Sequence, residues 1–225
     1  MNIVMVGSGE YLEPISALDR ELLSRLREPP QVVCLPTAAG TEGKERIAYW
    51  SNLGVQHFSR LGAEVEALPV INPQSANDPV LAERIAAANF IYLSGGKPAY
   101  LHHCLENSLV WTAIQQVLAR GGILAGCSAG AMVLGEKFLG FPGLKSGFNL
   151  APGMVIIPHY DEISAAMLAG LRLLIGNHLT LVGVEANTAL VKNEEGYEVL
   201  GLGGVTVWNN HHAIRFEQGG RPVLD

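Results

Sequence analysis

Gly126-Cys127-Ser128-Ala129-Gly130, set directly after the apolar run Gly122-Ile123-Leu124-Ala125, decides how this chain is read. The pentapeptide is Gly-x-Ser-x-Gly at a strand-to-helix turn. Small neighbours there let the backbone bend sharply and lift one side chain out at a sheet's carboxyl edge. A serine exposed at such a bend reads as a nucleophile. Cys127 is the competing candidate and would imply a thiol nucleophile of the amidotransferase type. Glycines stand two before and two after Ser128, whereas Ala125 and Ala129 flank Cys127 at those offsets. The bend is therefore built around the serine. Chance matches are common in a chain with 26 glycines, so the strand before and the helix after the pentapeptide carry the inference.

Outward from the elbow, short apolar runs alternate with helical patterns. Strands are predicted at Asn2–Val6, Gln31–Leu35, Glu64–Val70 and Phe90–Leu93, and helices at Ile15–Leu26, Lys44–Leu61, Pro79–Ala88 (capped by Asp78) and Ser108–Arg120. Repeated βα units of this kind imply an α/β three-layer sandwich: a mostly parallel sheet, helices on both faces, and ligands beyond the strands' carboxyl ends. Gly7-Ser8-Gly9, Pro36–Gly40, Ser94-Gly95-Gly96 and the elbow should then share one edge. After Gly176-Asn177-His178 the pattern changes to strands in series, Thr180–Val184, Thr188–Lys192, Tyr197–Leu202 and Val205–Trp208, with a hairpin turn at Glu194-Glu195-Gly196. Antiparallel strands close the C-terminal end. No linker or repeat divides the 225 residues, which are read as one domain.

Composition narrows the function class. Hydrophobic residues make up 48% of the chain, enough for a substantial core. A formal charge of −6 without a lysine or arginine cluster argues against nucleic-acid or membrane-surface partners, leaving small molecules. No stretch of about 18 uninterrupted apolar residues is present, and Met1–Val6 lacks the basic flank of a signal peptide and reads as a strand. Cys34, Cys104 and Cys127 are odd in number and lack metal-type spacing, so neither a disulfide framework nor a metal site is expected. The expected compartment is the cytoplasm. Homo-oligomerisation is left open.

A serine nucleophile needs a base. His159 follows the apolar strand Met154–Ile157 through Pro158 and precedes a helical stretch beginning near Ile163, so it sits on a strand-end loop. A histidine there suits general-base chemistry near neutral pH. Of the other histidines, His102 and His103 lie in a helix after Gly96, His57 and His178 read as surface positions, and His211 and His212 sit near a C-terminal hairpin. Two glycine-rich turns offer oxyanion donors: the Ala129 N–H at the start of the elbow helix, and Gly95 or Gly96 after Phe90–Leu93. Neither Gly7-Ser8-Gly9 nor Ser94-Gly95-Gly96-Lys97 completes a nucleotide-binding pattern.

Taken together, these residues resemble the serine peptidase family that contains dipeptidase E and cyanophycinase. The similarity runs through the N-terminal strand with its glycine turn, Ala76-Asn77-Asp78, Ile85–Ala88, Tyr92-Leu93-Ser94-Gly95-Gly96, Gly126–Ala131, Pro158-His159-Tyr160 and Gly183-Val184-Glu185-Ala186-Asn187-Thr188-Ala189-Leu190. The resemblance implies a fold like that of class I glutamine amidotransferases, Ser128 as nucleophile, His159 as base, and no metal or organic cofactor. It also implies cleavage of peptide or isopeptide bonds next to aspartate in short peptides. A pocket for an acidic side chain needs a cation; Lys97 is best placed, with Lys44 and Arg46 behind it.

The chain departs from the family pattern twice. Lys97-Pro98 replaces the residues usual after the Gly-Gly, and Ala186 stands where a cyanophycinase-like acid would fall. Glu185, one residue earlier, is then expected to orient His159, with Asp161 and Glu136 as alternatives. Since neighbouring strand residues face opposite ways, Glu185 needs an irregular backbone to serve. Two other functions stay in view: a serine hydrolase of another type, using His211 or His212, and a catalytically silent binding module, suggested by Ala186.

Overall fold

The computed structural model describes residues 2–209 and 212–224. Its strands, in chain order, are β1 (Asn2–Val6), β2 (Gln31–Leu35), β3 (Glu64–Ala67), β4 (Phe90–Leu93), β5 (Ile123–Cys127), β6 (Gly135–Leu139), β7 (Leu144–Ser146), β8 (Ala151–Ile157), β9 (Thr180–Val184), β10 (Thr188–Asn193), β11 (Gly196–Gly201), β12 (Val205–Asn209) and β13 (His212–Phe216). Seven form one sheet in the order β11-β10-β1-β5-β4-β2-β3. The five from β1 to β3 run parallel, and β10 and β11 join antiparallel at one end. The other six form a second sheet, β13-β12-β9-β8-β6-β7, in which β6, β8 and β9 are parallel. The α/β class with antiparallel C-terminal strands is as predicted, and the division into two sheets is an addition.

Alternation along the strands explains the layering. Ile3, Met5, Val33, Leu35, Ile91 and Leu93 belong to one buried cluster. Val4, Val6, Val32, Cys34, Phe90, Tyr92, Ala125 and Cys127 belong to the other. Successive side chains leave a strand on opposite faces, so an apolar run buried on both sides feeds two cores. Helices Ser16–Ser24 and Lys44–Arg60 lie over the second face. They are joined by a buried pair, His57 Nε2 to Asp19 Oδ2 at 2.7 Å. His57, predicted at the surface, is only 2% exposed. Burial pushes the Asp19 carboxyl up, with the His57 hydrogen bond opposing.

Register brings the strand ends level. Val6 pairs with Cys127, Leu93 with Gly126, and Leu35 with Leu93. The loops after β1, β2, β4 and β5 therefore emerge at one edge, as the βα pattern requires. The two sheets meet there too, through a bridge between Ser8 and Ala186. Gly7 makes the crossing possible, because a Cβ on it would lie 2.1 Å from the Glu185 carbonyl oxygen. Among the described residues no helix is long and apolar enough to cross a membrane.

Candidate active site

Ser128 sits at the end of β5 with φ 51° and ψ −111°, a conformation that L-residues seldom adopt. The flanking glycines permit it. A Cβ on Gly126 would come within 2.5 Å of the Gly130 backbone, and one on Gly130 within 2.4 Å of the Leu93 carbonyl oxygen. Helix Ala129–Met132 and β4 thus close in on the elbow only because both positions lack a side chain. Cys127 is fully buried, facing the core beneath helices Ser16–Ser24 and Lys44–Arg60. Burial, and then the neighbouring Glu10, push its thiol well above the ordinary range, so it stays protonated. The register that favours the serine has a physical basis: the strand aims the thiol inward and the bend aims the hydroxyl outward.

His159 Nε2 lies 3.1 Å from Ser128 Oγ. This histidine comes from the second sheet, after β8, rather than from the sheet that carries the elbow. It has left-handed backbone angles, φ 51° and ψ 37°, and its two successors anchor it. The Tyr160 ring packs on Gly183, where a Cβ would lie 2.1 Å from it, and the Tyr160 hydroxyl accepts a hydrogen bond from Trp208 Nε1 at 2.6 Å. Asp161 Oδ1 accepts the Ala186 N–H at 2.9 Å. The imidazole is 43% exposed, so the site opens to solvent.

The acid differs from the expectation. Glu185 Oε1 and Oε2 accept Arg215 Nε and Nη2 at 2.7 and 2.8 Å, and Oε2 also accepts the Gly204 N–H at 2.8 Å. These bonds turn the carboxylate toward β12 and β13, away from His159. The Arg215 hydrogen bonds hold its carboxyl below the usual range, with partial burial opposing. Asp161 is committed to Ala186, and Glu136 Oε2 accepts the Gly153 N–H at 2.8 Å. The carboxylate beside His159 Nδ1 is instead Glu162, at 3.5 Å across a single 3-10 turn and 69% exposed. Its signal in the sequence is His-x-x-Glu in a one-turn helix. An exposed pair of this kind contributes about 0.2–1 kcal/mol, so Glu162→Gln should lower kcat by no more than about fivefold. A loss beyond about 100-fold in steady-state kinetics would show that the carboxylate grips the imidazole like a buried triad acid.

The two glycines of the predicted oxyanion turn separate. Gly95 is buried, and its N–H donates to Glu10 Oε1 at 3.0 Å. It is therefore not the open donor. Gly96 is exposed, with φ 141° and no room for a Cβ against the Ala38 backbone 2.6 Å away. Its N–H and that of Ala129, the first residue of its helix, have no protein acceptor among the described residues. Lys97 is exposed, and its Nζ reaches Thr41 Oγ1 at 2.9 Å. Arg46 lies 5.0 Å from both the Tyr49 and Trp50 ring centroids and pairs with Glu42, while Lys44 is exposed. His212 is on edge strand β13. His211 falls outside the described residues.

An elbow serine within reach of a histidine on an α/β fold is the arrangement serine hydrolases use. Residues 3–200 match the model of peptidase family S51, and the chain belongs to that family. Cyanophycinases of Synechococcus elongatus and of Thermosynechococcus vestitus are each 30% identical over 159 residues, which cover 64% of this chain and 49% of theirs. The chain thus spans about half the length of these curated relatives. The crystal structure of a peptidase from an acI-B1 Actinobacterium superposes with a TM-score of 0.88 at 33% identity, covering 97% of this chain and 95% of that one. A candidate Peptidase E protein from Listeria monocytogenes EGD-e superposes at 0.66 with 18% identity, covering 89% and 98%, a likeness of fold alone.

Proposed function

We propose that this chain hydrolyses short aspartyl peptides, α- or β-linked, with Ser128 as nucleophile and His159 as general base. The 3.1 Å contact between His159 Nε2 and Ser128 Oγ carries the reading. His159 takes the hydroxyl proton as Oγ attacks the carbonyl carbon, and returns it to the departing amine. The acyl-enzyme is then hydrolysed by water activated in the same way. Gly96 and Ala129 donate to the oxyanion, and Glu162 stands beside the imidazolium as it forms.

The acidic preference rests on the family resemblance, on the cyanophycinase relatives, and on Lys97. That lysine begins the chain segment after the oxyanion turn and, among the described residues, has only the Thr41 hydroxyl on its ammonium. An acidic side chain displacing Thr41 would gain a charge-assisted hydrogen bond. The test compares Asp-X, β-Asp-X, Ala-X and Lys-X dipeptides on wild type and Lys97→Met. Aspartyl forms should lead in kcat/KM, and Lys97→Met should cut that lead by about tenfold, the scale of one charged hydrogen bond. Equal turnover of all four would remove the acidic-substrate proposal and leave the peptidase.

A further inference from the structure

Glu10 follows Gly9 in the loop after β1 and has no part in the chemistry above, yet it is a carboxylate only 8% exposed. Such a group is tolerated only when its oxygens find donors. Both do: Oε1 accepts the Gly95 N–H at 3.0 Å and Oε2 the Cys127 thiol at 3.1 Å. Neither partner carries a positive charge. Each is the chain neighbour of a residue in the proposed machinery, because Gly95 precedes Gly96 and Cys127 precedes Ser128. The packing is close as well. A Cβ on Gly95 would lie 2.7 Å from Glu10 Oε1 and 3.5 Å from Ser128 Cβ. The Gly95 turn therefore packs tightly on the carboxylate and lies in ordinary van der Waals reach of the nucleophile.

We propose that Glu10 is the positioning residue of this site, bracing the Gly95–Gly96 turn against the serine elbow so that the Gly96 and Ala129 N–H groups meet one oxyanion. The inference rests on Ser128 as nucleophile. Two features make a brace necessary. A residue held at φ 51° and ψ −111° keeps that conformation only when its surroundings over-determine it, and the bond to Cys127 secures its N-terminal side. Among the described residues the turn after β4 has no hydrogen bond of its own to the elbow, its other bonds running to Leu35 and Ala38, so the Gly95 N–H bond to Glu10 is what ties turn and elbow together beyond the pairing of β4 with β5. By occupying that N–H, Glu10 also leaves Gly96 as the donor this turn presents. The buried thiol suits the task, since burial and Glu10 itself keep it protonated and donating.

The rate at which a fluorophosphonate labels Ser128 reports on the oxyanion site without a peptide substrate. It is measured on wild type, Glu10→Ala and Glu10→Gln, beside kcat and KM on an aspartyl dipeptide and a thermal melt of each. Glu10→Gln keeps a carbonyl oxygen for the Gly95 N–H. Labelling and kcat should fall about 100-fold in Glu10→Ala, the scale of one lost oxyanion donor, and less than about tenfold in Glu10→Gln, with KM within about threefold in both. A folded Glu10→Ala labelled within about threefold of wild type overturns the proposal, as do equal losses in the two variants. If Glu10→Ala does not fold, Glu10→Asp decides. It keeps the charge but is one methylene short of both donors, so a fall of more than about threefold supports the brace and a smaller one overturns it. A wild type that is not labelled at Ser128 defeats the nucleophile assignment itself. An equally labelled Glu10→Ala defeats only the role of Glu10.

Discussion

Ser128→Ala should lower kcat by about 10⁴-fold or more, since no other group can form the acyl-enzyme. Cys127→Ser, one residue away, should stay within about tenfold of wild type. The contrast follows from where the bend aims each side chain. The thiol lies in the core against Glu10, kept protonated, and a substrate carbonyl cannot reach it. The hydroxyl stands outside beside His159. Serine at position 127 preserves a donor for Glu10 Oε2. Alanine there strands that oxygen and should cost about 1–3 kcal/mol of stability. Steady-state kinetics and melting curves on the three variants check both halves. A Ser128→Ala enzyme that turned over at more than about one hundredth of the wild-type rate, and lost that activity on thiol alkylation, would transfer the nucleophile to Cys127.

Much of the first sheet was legible because its strands are buried on both faces. Asn2–Val6, Gln31–Leu35 and Phe90–Leu93 are apolar in all but their first positions or throughout, and each emerged with the predicted bounds, as did Thr180–Val184 in the second sheet. β6, β7 and β13 carry no such run. Glu136 and Lys137 interrupt Gly135–Leu139, Leu144–Ser146 is three residues long, and His212–Phe216 is an edge strand with most of its residues exposed. The division into two sheets was beyond reach, because nothing local distinguishes β8 from a strand of the first sheet. His159 could be placed on a strand-end loop, but not on the loop of a second sheet.

The acid was misplaced for a related reason. Arg215, which holds Glu185, lies 30 residues on, in a strand the pattern did not reveal. β13 pairs with its chain neighbour β12, but the reach of Arg215 to Glu185 is a tertiary fact that no local spacing encodes. Glu10 was invisible for the same reason, since its partners come 85 and 117 residues later. The glycines behaved differently. Gly126 and Gly130 are required by contacts of a few ångströms at the bend itself, and steric demands that local leave a readable spacing.

His159→Ala should lower kcat by about 10³- to 10⁴-fold with the fold intact, because general-base activation contributes on the order of 10²–10⁴ and the serine hydroxyl is inert without it. The fold should survive because the imidazole supports nothing: Tyr160 and Asp161 anchor the loop, and His159 itself is 43% exposed. Its left-handed backbone points to a second variant. His159→Gly relieves φ 51°, and leaves a gap open to solvent in which added imidazole can sit against Ser128 Oγ. Rate recovery that saturates with imidazole concentration would identify the missing group as a proton acceptor, an effect that loss of structure cannot imitate. The opening that admits imidazole also exposes Glu162, which is why that carboxylate is expected to add little. Near-normal kcat in His159→Ala, or no recovery of His159→Gly by imidazole, would remove His159 from the chemistry and leave Ser128 without a base among the described residues.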